Sequence, residues 1–279
     1  MVPNNISPEF ITAEDGTQLA FCATAATYPD AGPGVVFLGG FMSDMTGQKA
    51  TVLETWAQKS GRGFLRLDYS GHGASGGAFR DGTIGRWLSD AISIIRHVGS
   101  TVDGMGEDLV LVGSSMGGWI ATRIAQELEE HSCDQRVAGL VTIAAAADFT
   151  QDLLPSRLGP EALAIIQETG LFEAPSQYAS GPYVITRELL EEGRNHLVLN
   201  GDLPLNIPVR LLHGSADPDV LWTQSQKLMD ALTSQDVELH IIKDGDHRLS
   251  EPADLERMTY VVAQLCDQLS ASNAARPAR

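Results

Sequence analysis

The chain predicts an α/β fold built on a largely parallel sheet. Three observations carry that reading. Short apolar runs recur along the chain, segments with helical periodicity separate them, and an alternating hairpin pattern precedes them. A length of 279 residues with 43% hydrophobic content fits one large domain with a sizeable core.

The elements follow in order. Phe10-Ile11-Thr12-Ala13, then Asp15-Gly16, then Gln18-Leu19-Ala20-Phe21-Cys22 predicts a β-hairpin closed by an Asp-Gly turn, adding antiparallel strands at one sheet edge. Gly34-Val35-Val36-Phe37-Leu38 is continuously apolar, as expected of a strand buried on both faces. Similar runs recur at Gly63 to Leu67, Leu109 to Val112, Val137 to Ile143, Val209 to Leu212 and Val237 to Ile242. Between and after them, Trp87, Ala91, Ile94, Ile95 and Val98 share one helical face. So do Ile120, Ile124 and Leu128, and again Leu255, Met258, Val262, Leu265 and Leu269.

One stretch breaks the alternation. Ala147 to Asn206 reads as helices and turns with no clear strand, punctuated by Pro155, Gly159-Pro160, Pro175 and Gly181-Pro182. A break of this length in a compact domain points to a lid or binding element, the alternative being a helical layer that thickens the core. The expected organisation is a core of residues 1–146 and 207–270, a helical cap insertion over 147–206 and a flexible tail over 271–279.

Composition narrows the partners. A net charge of −17 argues against nucleic acid or an anionic membrane, both of which repel such a surface. Cys22, Cys133 and Cys266 are odd in number and widely spaced, which favours reduced thiols over a disulfide framework or a metal site. Met1 to Asn5 shows neither a charged n-region nor an apolar h-region, and no apolar run approaches a membrane span. A cytoplasmic location is the expectation.

Gly113-Ser114-Ser115-Met116-Gly117 lies between the apolar run ending at Val112 and a helical pattern beginning near Gly118. A serine on a sharp strand-to-helix turn presents its hydroxyl above the sheet, and the next backbone N–H faces a developing oxyanion. The pentapeptide alone is not specific, because a serine in a tight turn also caps helices. A nucleophile needs a base, and the base an orienting acid. The run Val209 to Leu212 leads into His213-Gly214-Ser215-Ala216-Asp217-Pro218-Asp219, and Val237 to Ile242 leads into Lys243-Asp244-Gly245-Asp246-His247-Arg248. Ser115 as nucleophile, Asp217 as acid and His247 as base therefore stand at successive strand ends. Asp219 is the rival acid. His213 reads as a structural hydrogen-bonding residue, and Asp246 is too close in sequence to face His247. The remaining histidines show no metal-ligand spacing.

These motifs resemble the α/β-hydrolase superfamily over nearly the whole chain. More narrowly, Gly113 to Trp119, Leu211-Leu212-His213-Gly214 with Asp217, Asp246-His247-Arg248, Asp68 to Gly71 and Leu38 to Ser43 look like its mitochondrial palmitoyl-protein thioesterase and acyl-glucuronide esterase branch. That resemblance implies serine hydrolysis of esters and thioesters with no metal or organic cofactor. No mitochondrial presequence is evident, so location does not carry over. The oxyanion hole takes Met116 N–H and a second donor after Leu38-Gly39-Gly40. Phe41 is the first choice and Met42 the fallback.

Gly71-His72-Gly73-Ala74-Ser75-Gly76 matches a dinucleotide-binding glycine pattern, yet Gly77, Arg80-Asp81-Gly82 and Gly85 delay the next helix to about Arg86. A loop beside the site is the better reading. The expected substrate is a small acyl ester or thioester, or an acylated protein. The alternatives are amide or C–C hydrolysis or acyl transfer on the same triad, and a non-catalytic receptor on a hydrolase fold. Leu153, Leu154, Leu163, Ile165, Ile166, Leu171 and Phe172 are the candidate acyl-pocket residues.

Overall fold

The computed structural model describes residues 7–28, 31–130, 135–174 and 182–274. The strands are β1 (Glu9–Thr12), β2 (Gln18–Thr24), β3 (Gly34–Leu38), β4 (Phe64–Leu67), β5 (Asp108–Ser114), β6 (Arg136–Ile143), β7 (Leu171–Ala174), β8 (Tyr183–Thr186), β9 (Val209–Gly214) and β10 (Val237–Ile242). The helices are α1 (Gln48–Ser60), α2 (Ile84–Thr101), α3 (Met116–Glu130), α4 (Leu153–Thr169), α5 (Arg187–Glu192), α6 (Thr223–Ala231) and α7 (Pro252–Ala274).

Eight strands form one sheet in the order β1-β2-β4-β3-β5-β6-β9-β10. The six from β4 to β10 are mutually parallel, while β2 runs antiparallel to β4 and to β1. The expected hairpin closes as its residues dictate. Asp15 accepts from Thr17 N–H at 2.9 Å, and Gly16 takes the left-handed backbone. Every residue of β3 is buried, as a parallel strand covered on both faces requires. β10 departs from that expectation. It forms the sheet edge, with Glu238 and Ile241 exposed.

Two apolar cores flank the sheet. One joins Trp87, Ile94 and Ile95 of α2 and Trp119, Ile120 and Ile124 of α3 to Leu65, Leu67 and Leu111. The other packs Ala50, Leu53 and Ala57 of α1 and Met258, Val262 and Leu265 of α7 on Val35, Val110 and Val141. The chain crosses from β4 back past β3 to β5, so the strand order reverses between β3 and β5. Ligands of open α/β sheets bind beyond the strand ends at such a reversal.

Between β6 and β9 the chain leaves the sheet. α4 is two helical pieces meeting at Gly159, which takes a non-helical φ of 73° before Pro160. β7 and β8 pair antiparallel as a separate two-stranded sheet, so this stretch does contain strands, contrary to expectation. Ile166, Ile185 and Leu190 form its own small core with Leu158, Leu163 and Phe172 around them. At its base, Asp148 takes a left-handed backbone and is 2% exposed. Its carboxylate accepts from Val198 N–H at 2.9 Å and Leu199 N–H at 2.9 Å, tying the start of the stretch to its end. At the C-terminus α7 continues through Ala274, four residues into the expected tail. Residues 275–279, like Cys133, Pro175 and Gly181, lie outside the described residues.

Candidate active site

Ser115 joins β5 to α3 with φ 55°, a strained backbone for a residue with a side chain. Three hydrogen bonds hold it there. Its N–H donates to Ile143 O at 2.9 Å, and its carbonyl accepts from Gly118 N–H at 2.9 Å and Ala146 N–H at 3.1 Å. The flanking glycines are required by space. A Cβ at Gly113 would lie 2.2 Å from Gly117 O, and one at Gly117 would lie 2.1 Å from Leu38 O.

His247 Nε2 lies 3.0 Å from Ser115 Oγ, and its Nδ1 lies 2.8 Å from Asp217 Oδ2. Asp217 is 5% exposed. Its Oδ1 accepts from the N–H groups of Asp219 and Val220, each at 2.8 Å. Burial alone would raise its carboxyl, but hydrogen bonds from His213 and His247, the charge of His247 and the Val220 N–H hold it well below the usual carboxylate range. His213 is fully buried. Its Nε2 lies 2.8 Å from Val220 O and 3.1 Å from Asp217 Oδ2, and its Nδ1 lies 2.6 Å from Ser225 Oγ. A carbonyl can only accept, so Nε2 carries a proton.

The rival acids are engaged elsewhere. Asp219 Oδ1 pairs with Arg157 Nη1 at 3.1 Å, and Asp246 accepts from Leu249 N–H at 2.8 Å to close its own turn. Asp217, Asp219 and His247 bring metal-ligand atoms within 4.8 Å of one another. The Asp217 oxygens and His247 Nδ1 in that group are already bonded to protein partners.

Beyond β3, Phe41 and Met42 differ in one respect. Met42 N–H donates to His72 Nε2 at 3.3 Å, whereas Phe41 N–H and Met116 N–H have no acceptor among the described residues. The glycine-rich loop from Gly71 lies beside the site, closed by Gly71 N–H donating to Gly76 O at 2.8 Å. α2 opens at Ile84 behind Thr83, which caps it through Arg86 N–H at 3.2 Å.

A cavity of about 650 Å³ contains Ser115, His247, Phe41 and Met116 in its wall. Its apolar lining includes Phe149, Leu153, Leu154, Leu158, Ile185 and Val220, and its polar lining includes Ser43, Asp44, Lys49 and Arg248. Of the expected acyl-pocket residues, Leu153 and Leu154 line it. Leu163, Ile166 and Phe172 belong instead to the small core behind, and Ile165 is exposed. Phe149, Tyr183, Lys49 and Arg157 were not singled out by sequence reasoning. Phe149 and Tyr183 come from loops and short strands without helical periodicity. Lys49 is partly buried, and desolvation pushes its amine down to about 8, with the nearby Arg248 adding to the effect.

Fold and site together define a hydrolase of the α/β type, and the chain belongs to the alpha/beta hydrolase family, which matches residues 35–258. Among curated proteins it is 36% identical over 244 residues to the Homo sapiens palmitoyl-protein thioesterase ABHD10, mitochondrial, spanning 85% of this chain and 74% of that protein. Among solved structures it matches a putative hydrolase from Agrobacterium vitis S4 at 44% identity and TM-score 0.87, covering 94% of this chain and 99% of that one. It also matches mouse alpha/beta hydrolase domain-containing protein 10 at 32% identity and TM-score 0.81, with the same coverage. The expected cytoplasmic location is corrected by this comparison, since the curated relatives are named as mitochondrial. No helix among the described residues is long and apolar enough to cross a membrane.

Proposed function

We propose that this protein is a serine hydrolase that cleaves carboxylic esters or thioesters through an acyl-enzyme on Ser115. The carrying observation is the unbroken relay in which His247 bonds Ser115 Oγ through one ring nitrogen and Asp217 through the other. His247 takes the hydroxyl proton as Ser115 Oγ bonds the acyl carbon. Asp217 fixes the imidazole tautomer and stabilises the imidazolium that forms. The N–H groups of Phe41 and Met116 bind the oxyanion, and their lack of an acceptor among the described residues supports that role. Collapse breaks the bond to the leaving group, which departs as alcohol or thiol with the proton from His247. A water, deprotonated by His247, then releases the acid and restores Ser115.

The 147–206 stretch acts as the cap over the acyl site. It supplies Phe149, Leu153, Leu154, Leu158 and Ile185 to the cavity, a lining suited to an aliphatic acyl chain. The curated relative's thioesterase name supports a thioester among the substrates. The test is a panel of p-nitrophenyl esters and acyl thioesters of increasing chain length. Activity should rise with chain length and vanish in Ser115→Ala, and that variant should no longer be labelled by a fluorophosphonate. Full activity in Ser115→Ala would refute the reading, and a strong preference for amides would replace the substrate class.

A further inference from the structure

We propose that His72 is a positioning residue for the oxyanion loop: it holds the Met42 N–H and so leaves Phe41 as the free donor. The inference rests on the reading of Ser115 and its oxyanion hole given above.

Gly40 O accepts from Ser43 N–H at 3.1 Å, so Phe41 and Met42 are the central residues of a β-turn. Met42 has φ 55°, at the turn position where a positive φ favours glycine. For a residue with a Cβ this backbone costs on the order of 1 kcal/mol, and something must hold it. The bond supplied is Met42 N–H to His72 Nε2 at 3.3 Å. Turns with positive and negative φ at this position differ by a half-rotation of the central peptide. Without its acceptor the Phe41–Met42 peptide is free to turn over, and the loop loses its single pose.

The histidine is itself built in. Asp90 Oδ2 accepts from Ser70 N–H at 2.8 Å. Ser70 O lies 3.1 Å from Trp87 Nε1 and 3.2 Å from His72 Nδ1. Ser70 O can only accept, so His72 Nδ1 carries the proton and Nε2 keeps the lone pair that Met42 uses. The ring is 4% exposed and meets Tyr69, Phe79 and Trp87 edge-on at 5.5, 5.1 and 5.1 Å. Phe41 packs on two of the same rings, Phe79 at 4.8 Å and Trp87 at 5.9 Å. Burial pushes the imidazole down to about 4, against a smaller opposing effect of the Ser70 carbonyl, so it stays a neutral acceptor at pH 7. The loop that presents it is the glycine-rich segment from Gly71 to Gly76, clamped by Ser75 N–H donating to His72 O at 3.0 Å.

Two variants test this with p-nitrophenyl esters. His72→Phe keeps a ring in the aromatic box but offers no acceptor, and His72→Gln carries an amide oxygen to the place of Nε2. Removing an oxyanion donor outright costs about 10²–10³ in kcat, so loosening one through its loop should cost about tenfold. In His72→Phe, kcat should fall by that factor with KM and melting temperature little changed. A trifluoromethyl ketone, bound as an oxyanion adduct, should weaken in parallel, and His72→Gln should recover most of both losses. An unchanged kcat in His72→Phe would overturn the inference. So would a joint loss of kcat and melting temperature without rescue by Gln. Nitrogen-15 NMR of the wild-type imidazole is an independent check: Nδ1–H with bare Nε2 is expected at pH 7, and the opposite tautomer or an imidazolium overturns it. If Ser115→Ala stays active, the active-site reading falls and this inference with it, an outcome distinct from losing only the His72 effect.

Discussion

Arg157 reaches from α4 to the loop that carries Asp217: its Nη1 lies 3.1 Å from Asp219 Oδ1, and its Nη2 donates to Pro218 O at 2.7 Å. This contact joins the 147–206 stretch to the acid loop across the cavity wall, where both residues lie. The pair is partly exposed, so its effect on stability is below about 1 kcal/mol. Arg157→Met should leave the melting temperature within experimental scatter. It should raise KM for long-chain esters severalfold while kcat changes less, and steady-state kinetics against chain length checks the split.

Asp217→Asn keeps the shape of the acid but leaves His247 Nδ1 without its carboxylate. By analogy with other serine triads, kcat should drop by about 10⁴. Asp219→Asn should cost far less, because its carboxylate serves Arg157. Equal losses in the two variants, measured with one short ester, would reassign the acid.

The elbow glycines set a steric limit. Gly117→Ala places a Cβ against Leu38 O and Gly39 O, backbone atoms that cannot swing aside. Loss of the folded protein, or destabilisation of about 3 kcal/mol or more, is expected in chemical denaturation. Gly201→Ala, with nothing within 4 Å, is the matched control and should be nearly neutral.

His72 also makes stability depend on pH. Its folded pKa of about 4 lies below the ordinary histidine value of 6.5, so between those limits the unfolded chain binds more protons. Stability therefore falls as pH drops from about 6.5 to 4, by about 3 kcal/mol in total. Asp217 works lower still: its depressed carboxyl contributes stability above 3.8 that is lost below it. Urea titrations of wild type and His72→Phe at several pH values should diverge as pH falls through the histidine window, the wild type losing stability that the variant keeps.

Most of the sheet was legible because parallel strands covered on both faces must be apolar throughout, as Val35 to Leu38 are. α2 was legible for a related reason: Trp87, Ala91, Ile94, Ile95 and Val98 line one buried face. α1 was not, because the residues it turns to the core, Ala50, Leu53 and Ala57, are mostly small and leave a weak stripe. β7 and β8 are four residues each, too short for alternation to stand out, although Val184, Ile185 and Thr186 are β-branched. Ser115, Asp217 and His247 could be placed together from order and strand ends alone. That Met42 N–H, and not Phe41 N–H, meets an acceptor could not be read that way, since the acceptor is His72, a residue on a different loop.

The Asp148 bonds to Val198 and Leu199 have a consequence for how this molecule can diverge. They bring the two ends of a fifty-residue excursion side by side at the sheet, whatever lies between them. Loop closure then costs only about 0.6 kcal/mol for each doubling of length. The excursion can lengthen, shorten or be exchanged while β6 and β9 keep their register. The excursion and the scaffold can thus evolve on separate clocks, with one buried carboxylate marking the seam.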